Sequence, residues 1–266
     1  MQNNNYKLNF LGGGNIAKAL ITGLINSGFL SDDIKVYDID SEKLNNLSKL
    51  TGVKGSTELS DIKDGFVILC VKPKDYPDLV LEIKNKISEN VLILSCIAGI
   101  DLNILEKTFT KNVCLRFMPN MLVENNAGFF AVISKSEDLL QDFNKIFAPL
   151  GHIMEVEESK FDVITATSGS GPAWIYSYIH DLIKAGMENG LSEEEARLIV
   201  QSLFVGIANN IEFDTNFKEL IKQVASPGGT TEAGLNIMSK NKLSEIINEV
   251  ILEASTRSKE LREDNN

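Results

Sequence analysis

The sequence predicts a doubly wound α/β domain over residues 1–157, followed by an all-α domain over residues 158–266. Three observations carry that prediction. Short apolar runs alternate with amphipathic stretches up to about residue 156, and a glycine-rich turn closes the first run. Beyond residue 157 the strand signals stop, and apolar residues recur only at helical spacing.

The apolar runs are residues 8–11, 34–37, 66–71, 91–95, 113–117 and 129–133, with helical patterns such as 16–25, 42–50 and 79–87 between them. Strands that read as continuous apolar runs are buried on both faces, so a parallel sheet covered by helices is expected. In the second half Ile175, Ile179, Leu182 and Gly186 share helical spacing, as do Ala196, Ile199, Leu203, Ile207 and Ile211. Leu243, Ile246, Val250, Ala254 and Leu261 mark a last long helix. Residues 198–211 are apolar around nearly the whole circumference, because Phe204, Val205 and Ala208 fill the other faces. Such a helix is buried on all sides. A bundle of about a hundred residues has little interior to hide it. A second copy of the chain is the simplest cover, so an obligate homodimer through the C-terminal helices is expected, with a higher oligomer of dimers left open.

The 266 residues are 43% hydrophobic and 24% charged, the balance of a globular protein with a real core. A net charge of −11 argues against nucleic acid, whose affinity comes mainly from Lys and Arg neutralising phosphates. It leaves a small anionic ligand open, since a local cluster of donors can overcome the global sign. The start of the chain, Met1 to Lys7, is polar and lacks a signal-peptide core; the longest apolar stretch, residues 91–100, is interrupted by Ser95 and too short for a bilayer. No membrane association is expected. Cys70, Cys96 and Cys114 have no metal-like or redox-motif spacing and fall in or just after buried runs. They are expected to be reduced packing residues of a cytoplasmic protein, with no metal site.

The turn Phe10-Leu-Gly12-Gly-Gly14-Asn15-Ile16-Ala17 links the first strand to the first helix. In a dinucleotide site Gly12 permits the tight turn, Gly14 lets the backbone approach a pyrophosphate, and Ala17 allows close helix–sheet packing. The amides of Asn15 and Ile16 then point at the anion. A carboxylate at the end of the second strand, here Asp38, holds the adenosine ribose hydroxyls of NAD; an NADP site would place Arg or Lys there for the 2′-phosphate. The next residue is Ile39, and Asp40 adds a second negative charge, so NADH is favoured over NADPH. Val71-Lys72-Pro73 and Ala98-Gly99 fall at the carboxyl edge of the sheet, where ligands bind in this architecture. Lys72, on a turn fixed by Pro73, is a candidate for a cofactor phosphate or ribose.

Two segments of the helical half do not read as helix filler. Thr165-Ala-Thr-Ser-Gly-Ser170-Gly-Pro172-Ala-Trp174 is expected to break a helix and restart it at Pro172, and Ser226-Pro-Gly228-Gly229-Thr230-Thr231 does the same. Gly and Pro cost roughly 1 to 3 kcal/mol relative to Ala in a helix interior. Helix starts rich in free amides and hydroxyls suit a carboxylate ligand. The plainer alternative is an interhelical turn with Pro at the first helical position.

Six motifs in order, the glycine turn, Val71-Lys-Pro73, Ser95 to Gly99, Arg116-Phe-Met-Pro-Asn120, Ser168-Gly-Ser-Gly-Pro-Ala173 and Ser226 to Thr231, make the chain resemble pyrroline-5-carboxylate reductase along essentially its whole length. The resemblance implies a Rossmann-like first domain, an all-α dimerisation domain, and NAD(P)H-dependent reduction of the C=N bond of a cyclic imino acid, 1-pyrroline-5-carboxylate, to L-proline. It implies that Ser226, Gly228, Gly229, Thr230 and Thr231 grip the substrate carboxylate, with Thr231 near the imine nitrogen as the catalytic residue. It also implies that Ser170 belongs to a second substrate segment, brought across the dimer, and that Asn120 belongs with the cofactor residues. Gly13 and Trp174 replace the family's more usual Ala and Tyr, and Ile39 stands where NADP-preferring members often carry Arg. Neither histidine, His152 or His180, lies in a matched motif. Imine reduction tolerates that, because the nitrogen can carry its proton before hydride arrives. The alternatives are a reductase of a related cyclic imine acid, a β-hydroxy acid dehydrogenase with Lys184 as its only candidate lysine, and a non-enzymatic NAD(H) sensor. Arg116 would either meet an anion at the sheet edge or pair with a structural carboxylate.

Overall fold

The computed structural model describes residues 6–263; the first five residues of the polar N-terminal segment lie outside the described residues. Eight strands, β1 (Leu8–Leu11), β2 (Ile34–Tyr37), β3 (Lys54–Ser56), β4 (Phe66–Leu69), β5 (Leu92–Ser95), β6 (Cys114–Pro119), β7 (Gly128–Ser134) and β8 (Gly151–Glu155), form one sheet. Its order is β3-β2-β1-β4-β5-β6-β7-β8. The helices of this region are α1 (Asn15–Asn26), α2 (Ser41–Thr51), α3 (Tyr76–Ile83), α4 (Leu102–Thr108) and α5 (Glu137–Phe147). Alternate residues of each central strand enter opposite cores. Phe10, Ile68 and Leu94 pack on one face with Leu20, Phe117 and Phe143. Leu11, Val67 and Ile93 pack on the other with Ile83 and Leu105. Burial on both faces is what made these strands read as apolar runs, with Asn9 and Ser95 their buried polar positions.

The expected all-parallel sheet is corrected at one place. β6 and β7 are antiparallel, with Phe117 opposite Val132. The connection between them is a short 3₁₀ turn over Met121–Asn125, and a parallel crossover needs about a dozen residues or more. β3 and β8 lie at the two edges of the sheet and are mostly exposed, so neither carries the double-sided apolar signal that reveals the inner strands. The third helix starts at Tyr76, earlier than the apolar spacing suggests, because Pro77 suits a first turn.

Helices follow β8 to the end: α6 (Glu158–Ile164), α7 (Gly171–Glu188), α8 (Glu193–Ala208), α9 (Phe217–Val224), α10 (Thr230–Lys240) and α11 (Leu243–Glu263). The expected break before Pro172 is absent. Between α6 and α7 the chain stays helical through a π-helical run, Thr165–Ser170. Proline in a regular α-helix would press its ring on the carbonyl four residues back, and the wider π turn removes that clash. The hydroxyls of Thr165 and Thr167 donate to the carbonyls of Phe161 and Val163, both at 2.8 Å, and supply bonds within the distorted stretch. The segment is therefore no helix start.

Two compact units emerge. One reaches to Pro172 and takes in the chain from Glu253 onward; the other is Ala173–Leu252. In the first, Asp162 of α6 accepts from Ser258 Oγ at 2.8 Å and pairs with Arg262 at 3.0 Å, which ties the end of α11 to this unit. In the second, Ser192 and Glu195 form a reciprocal capping box that starts α8. The apolar circumference of α8 is left open within the chain: Leu198 is 65% exposed and Val205 56%. No helix among the described residues is long and apolar enough to cross a membrane.

Candidate functional site

The carboxyl ends of β1, β2, β4 and β5 meet at one edge of the sheet, where the strand order reverses between β1 and β4. Clefts at such a reversal are where open α/β sheets take ligands. Gly12 leaves β1 with φ +102°, its amide donating to the Tyr37 carbonyl at 2.8 Å. A Cβ at Gly12 would lie 2.8 Å from the Cys70 carbonyl oxygen, so the turn has no room for a side chain. Gly14 caps α1, and a Cβ there would meet nothing within 4 Å. The turn is thus closed beneath Gly12 and open at the helix start, where the amides of Asn15 and Ile16 follow. That arrangement fits a phosphate.

Asp38 braces the same turn. Its Oδ2 accepts from the Gly13 amide at 2.7 Å and its Oδ1 from the Asp40 amide at 2.9 Å. An ionised carboxylate has about four acceptor positions, so capacity remains for a sugar hydroxyl. Asp40 caps α2 by accepting from the amides of Glu42 and Lys43. The Lys43 amide is the largest cause of its lowered pKa. Sequence reasoning overlooked Lys43, whose Nζ lies 3.5 Å from Asp40 and 4.0 Å from Asp38. The signal was present: a lysine three residues after a helix cap turns back over it. Ile39 is 93% exposed.

Val71, half-buried, and Lys72, exposed, follow β4 and lead into a 3₁₀ turn begun by Pro73. Ala98 is half-buried and Gly99 buried with φ +78°, both beyond the end of β5. Asn120, at the end of β6, donates to Ser168 Oγ at 3.2 Å and accepts from the Leu122 amide at 3.2 Å. It joins the sheet edge to the π-helical run that contains half-buried Ser170, a link the sequence did not disclose.

Arg116 resolves to the structural alternative. It is 1% exposed, its guanidinium bonds the Glu158 carboxylate, and its guanidinium carbon lies 3.5 Å from the centre of the Phe161 ring. Burial pulls its pKa down to about 10, against the opposing pull of Asp162 and Asp101. Both histidines are exposed. Lys184, the one candidate base of the hydroxy-acid alternative, is 65% exposed on α7 beside Glu188.

In the second unit, the segment from Ser226 to Thr231 does form a helix start. Gly229 N donates to the Ser226 carbonyl at 3.0 Å and Gly229 caps α10, whose first residues are Thr230 and Thr231. Gly228, at φ +70°, donates its amide to Glu232 Oε2 at 2.7 Å. Glu232 is a supporting residue the motif reading missed, although an acid in the first turn of a helix is a common capping signal. The leading amides of α10 have no carbonyl within the helix to bond, and Thr231 is half-buried beside exposed Thr230 and Ser226. No cluster of three or more His, Cys, Asp or Glu suited to a metal occurs among the described residues.

Comparison with known proteins bears on both units. Residues 158–261 match a family described as pyrroline-5-carboxylate reductase dimerisation, and residues 7–99 match one described as NADP oxidoreductase, coenzyme F420-dependent. A pyrroline-5-carboxylate reductase of Staphylococcus haemolyticus is 33% identical over 97% of this chain and 100% of its own length. Pyrroline-5-carboxylate reductase 1 of Bacillus subtilis is 31% identical over 97% of this chain and 90% of its own. Among solved structures, the Plasmodium falciparum pyrroline carboxylate reductase with NADP bound superposes with a TM-score of 0.86 at 27% identity, over 97% of this chain and 98% of that one.

Proposed function

The chain belongs to the pyrroline-5-carboxylate reductase family, and from that premise we propose that it reduces the C=N bond of 1-pyrroline-5-carboxylate to L-proline at the expense of NAD(P)H. The observation that carries the proposal is the nearly full-length match at 33% identity, which spans the dinucleotide turn and the Ser226 to Thr231 helix start alike. Residues 1–157 serve as the dinucleotide domain and residues 158–266 as the dimerisation and substrate domain.

Gly12, Gly14, Asn15 and Ile16 hold the pyrophosphate by backbone amides, with Asp38 on the adenosine ribose. Val71, Lys72, Pro73, Ala98, Gly99 and Asn120 form the remaining wall. When bound, the reduced nicotinamide supplies the hydride. The leading amides of α10, with Ser226, Gly228, Gly229 and Thr230, hold the substrate carboxylate, and Ser170 approaches it from the other subunit. Thr231 hydrogen-bonds the ring nitrogen and keeps its proton in place. Orientation of this kind contributes several kcal/mol or more to the lowering of a barrier.

NADH is preferred, because Asp38 repels a 2′-phosphate and accepts from a free ribose hydroxyl; Lys43 moderates that preference by standing 4.0 Å from Asp38. The chain works as a cytoplasmic homodimer, whose C-terminal helices cover each other's apolar surface, with a higher oligomer of dimers left open. The test is oxidation of NADH, and separately NADPH, by purified protein with pyrroline-5-carboxylate. Rapid oxidation with proline as product supports the reaction, and a higher kcat/KM with NADH supports the cofactor preference. No imine-dependent oxidation with either would refute the assignment.

A further inference from the structure

Cys70 and Cys96 stand one residue past the registered pair Leu69 and Ser95 on adjacent parallel strands, and the ladder bond from the Cys96 amide to the Leu69 carbonyl holds that register. They are therefore the next opposed pair. Adjacent strands run about 4.8 Å apart, inside the span a disulfide bridges. Both side chains enter the same core cluster, so they leave the sheet on one face. Their sulfurs lie 3.4 Å apart. Both residues are buried, Cys70 at 7% and Cys96 at 9% exposure.

We propose that Cys70 and Cys96 form a reversible dithiol–disulfide pair, closed by a peroxide or a small disulfide oxidant, that loosens the dinucleotide turn when oxidised. With hydrogen peroxide one thiolate attacks an oxygen, giving a sulfenic acid and water; the second thiol then displaces hydroxide, which leaves as water. Two sulfur–hydrogen bonds and one oxygen–oxygen bond are broken, one sulfur–sulfur and two oxygen–hydrogen bonds are formed, and peroxide is reduced to two waters. Burial pushes the Cys70 thiol up, so closure is slow at neutral pH and quickens as pH rises.

The coupling to ligand rests on the dinucleotide reading and on one contact. A Cβ at Gly12 would meet the Cys70 carbonyl carbon at 2.9 Å, so this backbone is the floor of the turn. Pulling Cys70 toward Cys96 shifts that floor. Cys114 provides an internal control, because it is buried elsewhere in the other core cluster.

The experiment treats the full-length protein with hydrogen peroxide, then digests it without reductant and maps linked peptides by mass spectrometry. The expected result is a Cys70–Cys96 crosslink, removed by dithiothreitol and absent in Cys96→Ser. NADH titration of the oxidised protein should give a several-fold weaker affinity that dithiothreitol restores, and bound NADH should slow closure. No crosslink, or one through Cys114, overturns the pair. A crosslink that leaves NADH affinity unchanged, in a protein that binds NADH when reduced, overturns the coupling. Failure of the reduced protein to bind NADH would instead strike the dinucleotide reading and leave the crosslink standing on its own.

Discussion

The Gly13 amide donates to Asp38 Oδ2 at 2.7 Å, so the carboxylate proposed to meet the ribose also holds the glycine turn in shape. Two tasks on one side chain predict a compound phenotype. Asp38→Ala removes an acceptor from the Gly13 and Asp40 amides together and removes the charge that disfavours a 2′-phosphate. The KM for NADH should rise about tenfold, the equivalent of about 1.4 kcal/mol. NADPH should lose less, so the ratio of the two kcat/KM values moves toward NADPH. An unchanged ratio would remove Asp38 from cofactor selection.

Thr231 is the second residue of α10 and half-buried. Thr231→Ala should lower kcat roughly a hundredfold, the scale of one positioned proton-handling group. Thr231→Ser, which keeps the hydroxyl, should recover most of it. Equal turnover in the alanine variant at saturating substrate would eliminate the role at nitrogen.

The open apolar surface of α8 makes its own prediction. Leu203, 49% exposed within the chain, should be covered by the second subunit. Leu203→Glu would place a charge in that contact and should shift the dimer toward monomer or aggregate in light scattering, with loss of activity. A fully active dimer in this variant would locate the interface elsewhere.

Glu158 is the carboxylate bonded to buried Arg116. Removing one partner of a buried pair leaves the other charge uncompensated. Glu158 is itself 31% exposed, so water recovers part of the loss. Glu158→Ala should therefore cost about 2 kcal/mol in denaturant unfolding. The double change with Arg116→Met should regain stability, and further loss instead would show that Arg116 does more than pair.

Burial raises the Cys114 thiol from its ordinary 9.0 to about 12. The folded state thus holds this proton more tightly than the unfolded chain. Its contribution to stability is fully present below pH 9.0 and is lost as pH rises to about 12. Native protein at pH 8 should leave Cys114 unmodified by iodoacetamide while denatured protein reacts at once. Rapid native labelling at that position would contradict the burial.

Much was legible from the sequence for one reason: local patterns encode elements that bury both faces or obey a local rule. The central strands β1, β4 and β5 read as apolar runs, with only buried Asn9 and Ser95 polar, because both faces are covered, and the turn at Gly12 needs a residue that tolerates φ +102° with no side chain. The Ser226 to Thr231 helix start was readable because its glycines and hydroxyls are a local capping signature. Only the tertiary structure decided the rest. Edge strands β3 and β8 acquire their conformation from neighbours distant in sequence, and the reversal of β7 follows from a connection too short to cross over. Pro172 looked like a break because a local rule forbids it in a regular helix; the fold keeps the helix by widening one turn to the π form. The pairings of Arg116 with Glu158, Asn120 with Ser168 and Cys70 with Cys96 join residues 26 to 48 positions apart. No local periodicity records such contacts, because packing around a common core brings their ends together.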